Sequence, residues 1–271
     1  MAGRKHPHPQ DPRYGSAAEI GRCDLVIIAT KATANEAVKP LLPPLTGPDT
    51  IVLTLQNGLG VEEPIAEVVG SGRVLGAICY IGCMRTAPGV VKCSFPGLMT
   101  IGKFGQPAGE RTHAVASLWR HAGVKCTAQD NLELQRWHKL VWNVPFNGLA
   151  IVSGGLTTDV LLADEGLRLL ARRLMEEVVD AAAKFGHEIP RSFIDLQFER
   201  TAKMGAYRPS SLIDFEEGRD VEIEEIWGRA RAPRENHRRA RAAHGNDLLA
   251  DQATPRRAEG EGAGEVRGPR G

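Results

Sequence analysis

The stretch "DLVIIAT" (24–30) is a continuous, β-branched apolar run, the pattern of a strand buried on both faces. After it, "ANEAVKPLLPPL" (34–45) reads as a short helix that prolines bring to an end. A second buried strand runs into a glycine-containing turn in "TIVLTLQNGLG" (50–60), and "VEEPIAEVVG" (61–70) has the pattern of an amphipathic helix closed by glycine. "RVLGAICYIGCM" (73–84) is a third strand. Strand, helix, strand, helix, strand predicts a parallel sheet with crossover helices, and such sheets take ligands at the carboxyl ends of their strands. The turn holding Asn57 is one of those ends.

Outward from this core, residues 1–22 are polar and rich in Pro, Gly and His, and read as an irregular lead-in. Residues 89–128 extend the sheet in a more antiparallel manner, with strands in "GVVKCSFPG", "LMTIGKFG" and "VKCTAQ" and a helix over roughly 110–122. From Asp130 the pattern turns helical. In the segment 163–190, Leu167, Leu170, Leu174, Val178 and Ala182 keep a helical repeat, with Gly186 as the C-cap. The reading is therefore an α/β chain with four parts: the lead-in 1–22, a partial Rossmann-type sheet domain 23–129, an all-helical domain 130–228 and a tail 229–271. The tail holds ten Arg and six acidic residues, and beyond Ala only Leu248, Leu249 and Val266 as aliphatics, so it predicts disorder. It has no aromatic residue for base stacking, and its "GEGAG" (260–264) has neither strand before it nor helix after it, so neither feature argues for nucleic acid or phosphate.

The 271 residues, 42% apolar, can bury a sizeable core, and a net charge of +1 gives no global field to draw nucleic acid or an anionic membrane. Five cysteines, none in a C-x-x-C pair, suggest neither a disulfide framework nor a structural metal, and a reducing cytoplasm is the default. No stretch reaches the length of a membrane span. Function has to be sought in a site.

"KLVWNVPFNG" (139–148) supplies one candidate. Lys139, Asn143 and Asn147 fall four apart, so on a helix they form one polar stripe along an otherwise apolar segment, with Pro145 removing an N–H between the two Asn. Two readings stand. Lys139 snorkels from a half-buried helix while Asn143 caps a kink at Pro145, or the stripe lines a cleft where a polar ligand satisfies all three groups. "RPSSLIDFEEGRDVEIEEIWG" (208–228) supplies the other. Ser210 or Ser211 is a helix N-cap or a carboxylate receptor, and Glu222 and Glu224 are a solvated face or a partner for Lys139.

Five motifs in order, "ATKA" (29–32), "LQNGLG", "APGVV" (87–91), "KLVWNVPFNGL" and "PSSLIDFEEGRDVEIEEI" (209–226), resemble those of the ketopantoate reductase (2-dehydropantoate 2-reductase) family over about residues 20–228. The resemblance implies a Rossmann domain, a helical domain and an active site in the cleft between them. It implies NADPH-dependent reduction of a small 2-oxo acid, 2-dehydropantoate to pantoate, in pantothenate synthesis. By the same resemblance Lys139 is the general acid for the ketone oxygen, Asn143 and Asn147 hold the substrate's hydroxyl and carbonyl side, and Ser211 holds its carboxylate. Lys31, Asn57, the backbone near Cys83 and Glu222 contact the cofactor, with Asn57 also facing the substrate and Glu222 supporting the lysine.

The family opens with a strand and a G-x-G-x-x-G turn. Here "DLVIIAT" comes about 60 residues early, judged from the size of two βαβ pieces, and no such turn precedes it. A truncated start and a frame-shifted end are the corresponding expectations for the gene. Two alternatives follow: an inactive fragment, whose unpaired sheet edge favours a homodimer, and a dehydrogenase of the β-hydroxyacid type. The latter usually carries a glycine-rich turn before its lysine, where this chain has "LELQRWH" (132–138).

Overall fold

The computed structural model describes residues 14–93 and 97–231. Seven strands are present among them: β1 (Leu25–Ile28), β2 (Ile51–Thr54), β3 (Val74–Tyr80), β4 (Cys83–Ala87), β5 (Val90–Cys93), β6 (Leu98–Lys103) and β7 (Cys126–Ala128). Five of them form one sheet in the order β1-β2-β3-β6-β7. β1, β2 and β3 are parallel, β6 runs antiparallel to β3, and β7 is parallel to β6. β4 and β5 make a separate hairpin.

The helices of the sheet region are α1 (Ala17–Ile20), α2 (Asn35–Val38), α3 (Leu42–Leu45), α4 (Glu63–Val69) and α5 (Glu110–His121). Alternation along the strands divides the core between the two faces of the sheet. Val52 and Val74 pack with Leu42, Ile65 and Val69 on one face, while Leu53 and Leu75 pack with Met99, Ile101, Val115 and Ala116 on the other. The helical region comprises α6 (Leu132–Val152), α7 (Thr158–Ala163), α8 (Glu165–Lys184), α9 (Ser192–Ala202) and α10 (Ser210–Glu216). Trp137 and Phe146 of α6 are completely buried at its centre. Burying side chains of this size contributes about 1.5–3 kcal/mol each.

α6 meets the sheet through missing side chains. Gly76 on β3 and Gly102 on β6 are paired across the ladder. A Cβ on Gly76 would lie 2.0 Å from a Glu62 carboxylate oxygen and 2.7 Å from Leu132, and one on Gly102 would lie 2.7 Å from Leu132. The two glycines form a slot that seats the first turns of α6. The described residues belong to one compact unit, so both regions share this junction.

Several sequence expectations need correction. β1 is not buried on both faces: it pairs only with β2 among the described strands, and Ile27 is 45% exposed. Prolines do not end one helix after Asn35. They sit at the starts of a 3-10 turn and of α3, dividing the segment into short pieces. In α8 the buried stripe is Ala171, Met175, Val178, Val179 and Ala182, and Leu170 faces out, because the core takes the row one residue further round. α6 continues as a helix through Pro145.

Cys83 and Cys93 form a disulfide, contrary to the reading that none is suggested. The hairpin places residues ten apart directly opposite each other, a pairing that Cys spacing alone does not reveal. The lead-in contains α1, and Arg229–Arg231 form a 3-10 turn where the tail was expected to begin. The rest of that tail, 232–271, and residues 1–13 lie outside the described residues.

The slot yields a prediction. Gly76→Ala is expected to destabilise the protein by about 1–3 kcal/mol through overpacking against Glu62 and Leu132, read as a lowered denaturation midpoint.

Candidate active site

The carboxyl ends of the parallel strands carry two loops. The one after β1 begins at Thr30 and Lys31, and the one after β2 is "LQNGLG". Gln56 is buried and joins them. Its Nε2 donates to the Asn35 carboxamide at 2.7 Å and to the Lys31 carbonyl at 3.1 Å, while its Oε1 accepts from Thr54 at 3.0 Å. Gly58 has φ +90°, and a Cβ there would lie 2.4 Å from Glu225. The chain requires glycine here because the loop packs backbone to backbone on the π-helical turn Glu224–Gly228, with the Leu59 N–H donating to the Glu225 carbonyl at 2.9 Å.

α6 approaches from the other side and brings Lys139 to this loop. The Lys139 ammonium donates to Asn57 Oδ1 at 2.5 Å and to the Cys79 carbonyl at 2.8 Å, and lies 5.7 Å from the centre of the Tyr80 ring. The Asn57 side chain also hydrogen-bonds Glu222. The Glu222 carboxylate in turn accepts the Ala32 N–H at 3.0 Å. Lys139, Asn57, Glu222 and the loop after β1 therefore form one connected polar chain, built from four separate segments of sequence.

This setting moves both titratable groups toward neutrality. Burial lowers the Lys139 pKa from 10.5 to about 8; the Cys79 thiol and Glu222 oppose the change and the Arg136 charge adds to it. Burial also raises the Glu222 carboxyl above its ordinary value, against the pull of the Ala32 N–H, Lys31 and Asn57. An amine of pKa about 8 is still mostly protonated at neutral pH and gives up its proton far more readily than a solvated lysine. Two of its three N–H donors are used by Asn57 and Cys79, which leaves one for a substrate oxygen.

The stripe of the sequence continues inward. Asn143 is buried, and Asn147, fully buried, accepts the Ser211 N–H of α10 at 3.0 Å. The Asn147 Nδ2 is buried with no hydrogen-bond partner among the described residues, a donor that an oxygen-rich ligand would satisfy. Three further turns of chain connect to this wall. Lys31 pairs with Asp214 of α10 and donates to the Asp220 carbonyl at 3.3 Å, and Arg219 holds the other Asp214 oxygen at 3.0 Å.

The structure thus brings together Lys139, Asn57 and Glu222, links Asn147 to Ser211, and sets Lys31 against Asp214. Cys83 is exposed in the crosslinked hairpin that follows β3. Asp214 and Arg136 were not singled out from sequence. Asp214 follows Ser211 by three residues, and Arg136 precedes Lys139 by three, so both lie within one helical turn of a candidate residue. No group of three or more His, Cys, Asp or Glu side chains among the described residues is arranged to hold a metal ion.

Comparison with known proteins gives the same picture by another route. Family models described as "Ketopantoate reductase PanE/ApbA" and its C-terminal counterpart match residues 3–106 and 131–242. A 2-dehydropantoate 2-reductase of Nostoc is 38% identical over 225 residues, covering 81% of this chain and 70% of the relative. The crystal structure of 2-dehydropantoate 2-reductase from Geobacter metallireducens superposes with a TM-score of 0.77 at 36% identity, covering 89% of this chain and 81% of that one. D-mandelate dehydrogenase in complex with NADH shares the fold, with a TM-score of 0.72 at 23% identity and coverage of 84% and 77%.

Removing the link between the stripe and α10 has a definite expected result. Asn147→Leu leaves the Ser211 N–H buried without an acceptor, which costs about 1–3 kcal/mol. Amide hydrogen exchange over residues 210–216 should rise accordingly, more than exchange in α8.

Proposed function

This chain belongs to the ketopantoate reductase family, and from that premise we propose that it reduces a small 2-oxo acid, 2-dehydropantoate to pantoate, with NADPH as the reductant. Ketopantoate reductases and related dehydrogenases use NADH or NADPH. The observation that carries the reading is the Lys139 ammonium, half-buried, with its pKa lowered to about 8 and one donor left for an incoming oxygen.

The residues present fit the nicotinamide end of such a cofactor. The ends of the parallel strands present the amide of Asn57 and Lys31 as a cation, and the segment after α10 brings the carboxylate of Glu222 to them. Asn57, Glu222 and Lys31 would hold it, and when bound it supplies a hydride to the keto carbon. The sequence ahead of β1 contains no G-x-G-x-x-G turn, so the pyrophosphate is not assigned to any residue.

The remaining chemistry falls to the chain. As the keto carbon becomes tetrahedral, charge builds on its oxygen, and Lys139 Nζ stabilises that charge and then donates its proton. Asn57 holds the ammonium from the sheet side, and Glu222 favours its charged form across Asn57. In this reading Asn143 and Asn147 donate to the substrate's hydroxyl and carbonyl side and the Ser211 hydroxyl to its carboxylate, which the buried Asn147 Nδ2, without a partner among the described residues, supports. Packing of the loop on the π-helical turn holds Asn57 beside Lys139.

Lys139→Ala is expected to abolish turnover of 2-dehydropantoate while NADPH affinity, measured by calorimetry, stays near that of the unaltered protein. Unchanged turnover would reject the assignment. In the unaltered protein kcat/KM should fall above about pH 8, because the amine that must donate a proton is lost as pH rises through its lowered pKa. Comparing 2-oxo acids with 3-hydroxy acids as substrates separates this reading from a β-hydroxyacid dehydrogenase.

A further inference from the structure

Arg136 is 4% exposed, one turn before Lys139 on α6, in the slot left by Gly76. Each of its three guanidinium nitrogens donates a hydrogen bond. Nε donates to Glu62 Oε1 at 2.8 Å and Nη2 pairs with the same carboxylate. Nη1 donates to the Gln56 carbonyl at 3.0 Å and to the Gly58 carbonyl at 3.1 Å. Those two carbonyls belong to Gln56 and Gly58, the residues on either side of Asn57. One side chain therefore fixes the backbone before and after the residue whose carboxamide meets the Lys139 ammonium.

We propose that Arg136, held by Glu62, is a positioning residue for the candidate acid: it clamps the backbone around Asn57 so that the Asn57 carboxamide faces Lys139, and it keeps a permanent positive charge beside that lysine. The proposal rests on Lys139 being the proton donor. The clamp offsets the cost of burying an ion pair, because each guanidinium nitrogen finds an acceptor. The charge acts in one direction: a second cation near an ammonium favours its deprotonation, so Arg136 sharpens Lys139 as an acid. The other groups facing Lys139 are Cys79 and Tyr80 from β3, Asn57 from the loop after β2, and Glu222 from the segment after α10. None of them supplies a second positive charge.

The experiment compares Arg136→Lys, Glu62→Gln and the neutral double variant Arg136→Gln/Glu62→Gln in the full chain. It follows the Lys139 Cε–Hε resonance by NMR titration alongside kcat/KM against pH. In the double variant the Lys139 titration and the alkaline limb should move up, by less than loss of a lone charge would give, since the cation that acts on Lys139 leaves together with its paired anion. In Glu62→Gln, where the Arg136 charge is left uncompensated, both should move down. Arg136→Lys keeps the charge but cannot span both carbonyls, so its limb should stay in place while kcat/KM falls by about tenfold or more. A merely structural arginine would lower the melting temperature and leave the Lys139 titration unmoved in all three, and that result overturns the proposal. If the double variant does not fold, Arg136→Lys decides, and an unchanged kcat/KM there is also fatal. Because the titration needs no turnover, it is independent of the substrate assignment, which Lys139→Ala tests separately.

Discussion

The buried pair of Arg136 and Glu62 is the interaction on which the two halves of the structure depend. Removing either partner leaves an uncompensated charge in the interior, a loss of about 3–5 kcal/mol in comparable cases. The pair exists only because Gly76 and Gly102 let α6 lie closer to the sheet than any side chain would allow. Sheet spacing, helix placement and the "LQNGLG" loop are thus set at one point. From there α6 carries Lys139, Asn143 and Asn147 along one side toward α10.

That geometry explains how an apolar helix carries a polar stripe, with the Nδ2 of Asn147 left without a partner among the described residues. Lys139 has two protein acceptors, and Asn147 has the Ser211 N–H. Each partner comes from a different segment, so the stripe acts as a seam between α6, the sheet loops and α10. Lys31 and Asp214 make a second seam further out, with Arg219 sharing the carboxylate. Polar groups here do the joining that apolar contacts do elsewhere in the chain.

Much of this was legible in the sequence for physical reasons. Helical spacing exposed Lys139, Asn143 and Asn147, and buried strand patterns located the loop of Asn57. The order of the five motifs placed Ser211 and Glu222 in the same neighbourhood. What escaped depended on distance in the chain rather than on local pattern. Arg136 looks like an ordinary helical arginine until Glu62, 74 residues away, is set beside it. Asp214 gains meaning only from Lys31, 183 residues distant. Ile27 reads as core, but strand order decides whether a neighbour covers it. Cys83 and Cys93 needed the hairpin register.

The docking of the loop at Leu59 on the carbonyl of Glu225 has a consequence for how the protein is made. During synthesis the sheet strands and their helices emerge first and can pair locally, but the surface that fixes the Asn57 loop leaves the ribosome more than 160 residues later. Until then the loop has no partner on that side, and Gly58 is free to sample the backbone conformations that only glycine reaches. The wall of the candidate site is therefore a late, non-local product of folding, closed by contacts of high sequence separation after the sheet has formed.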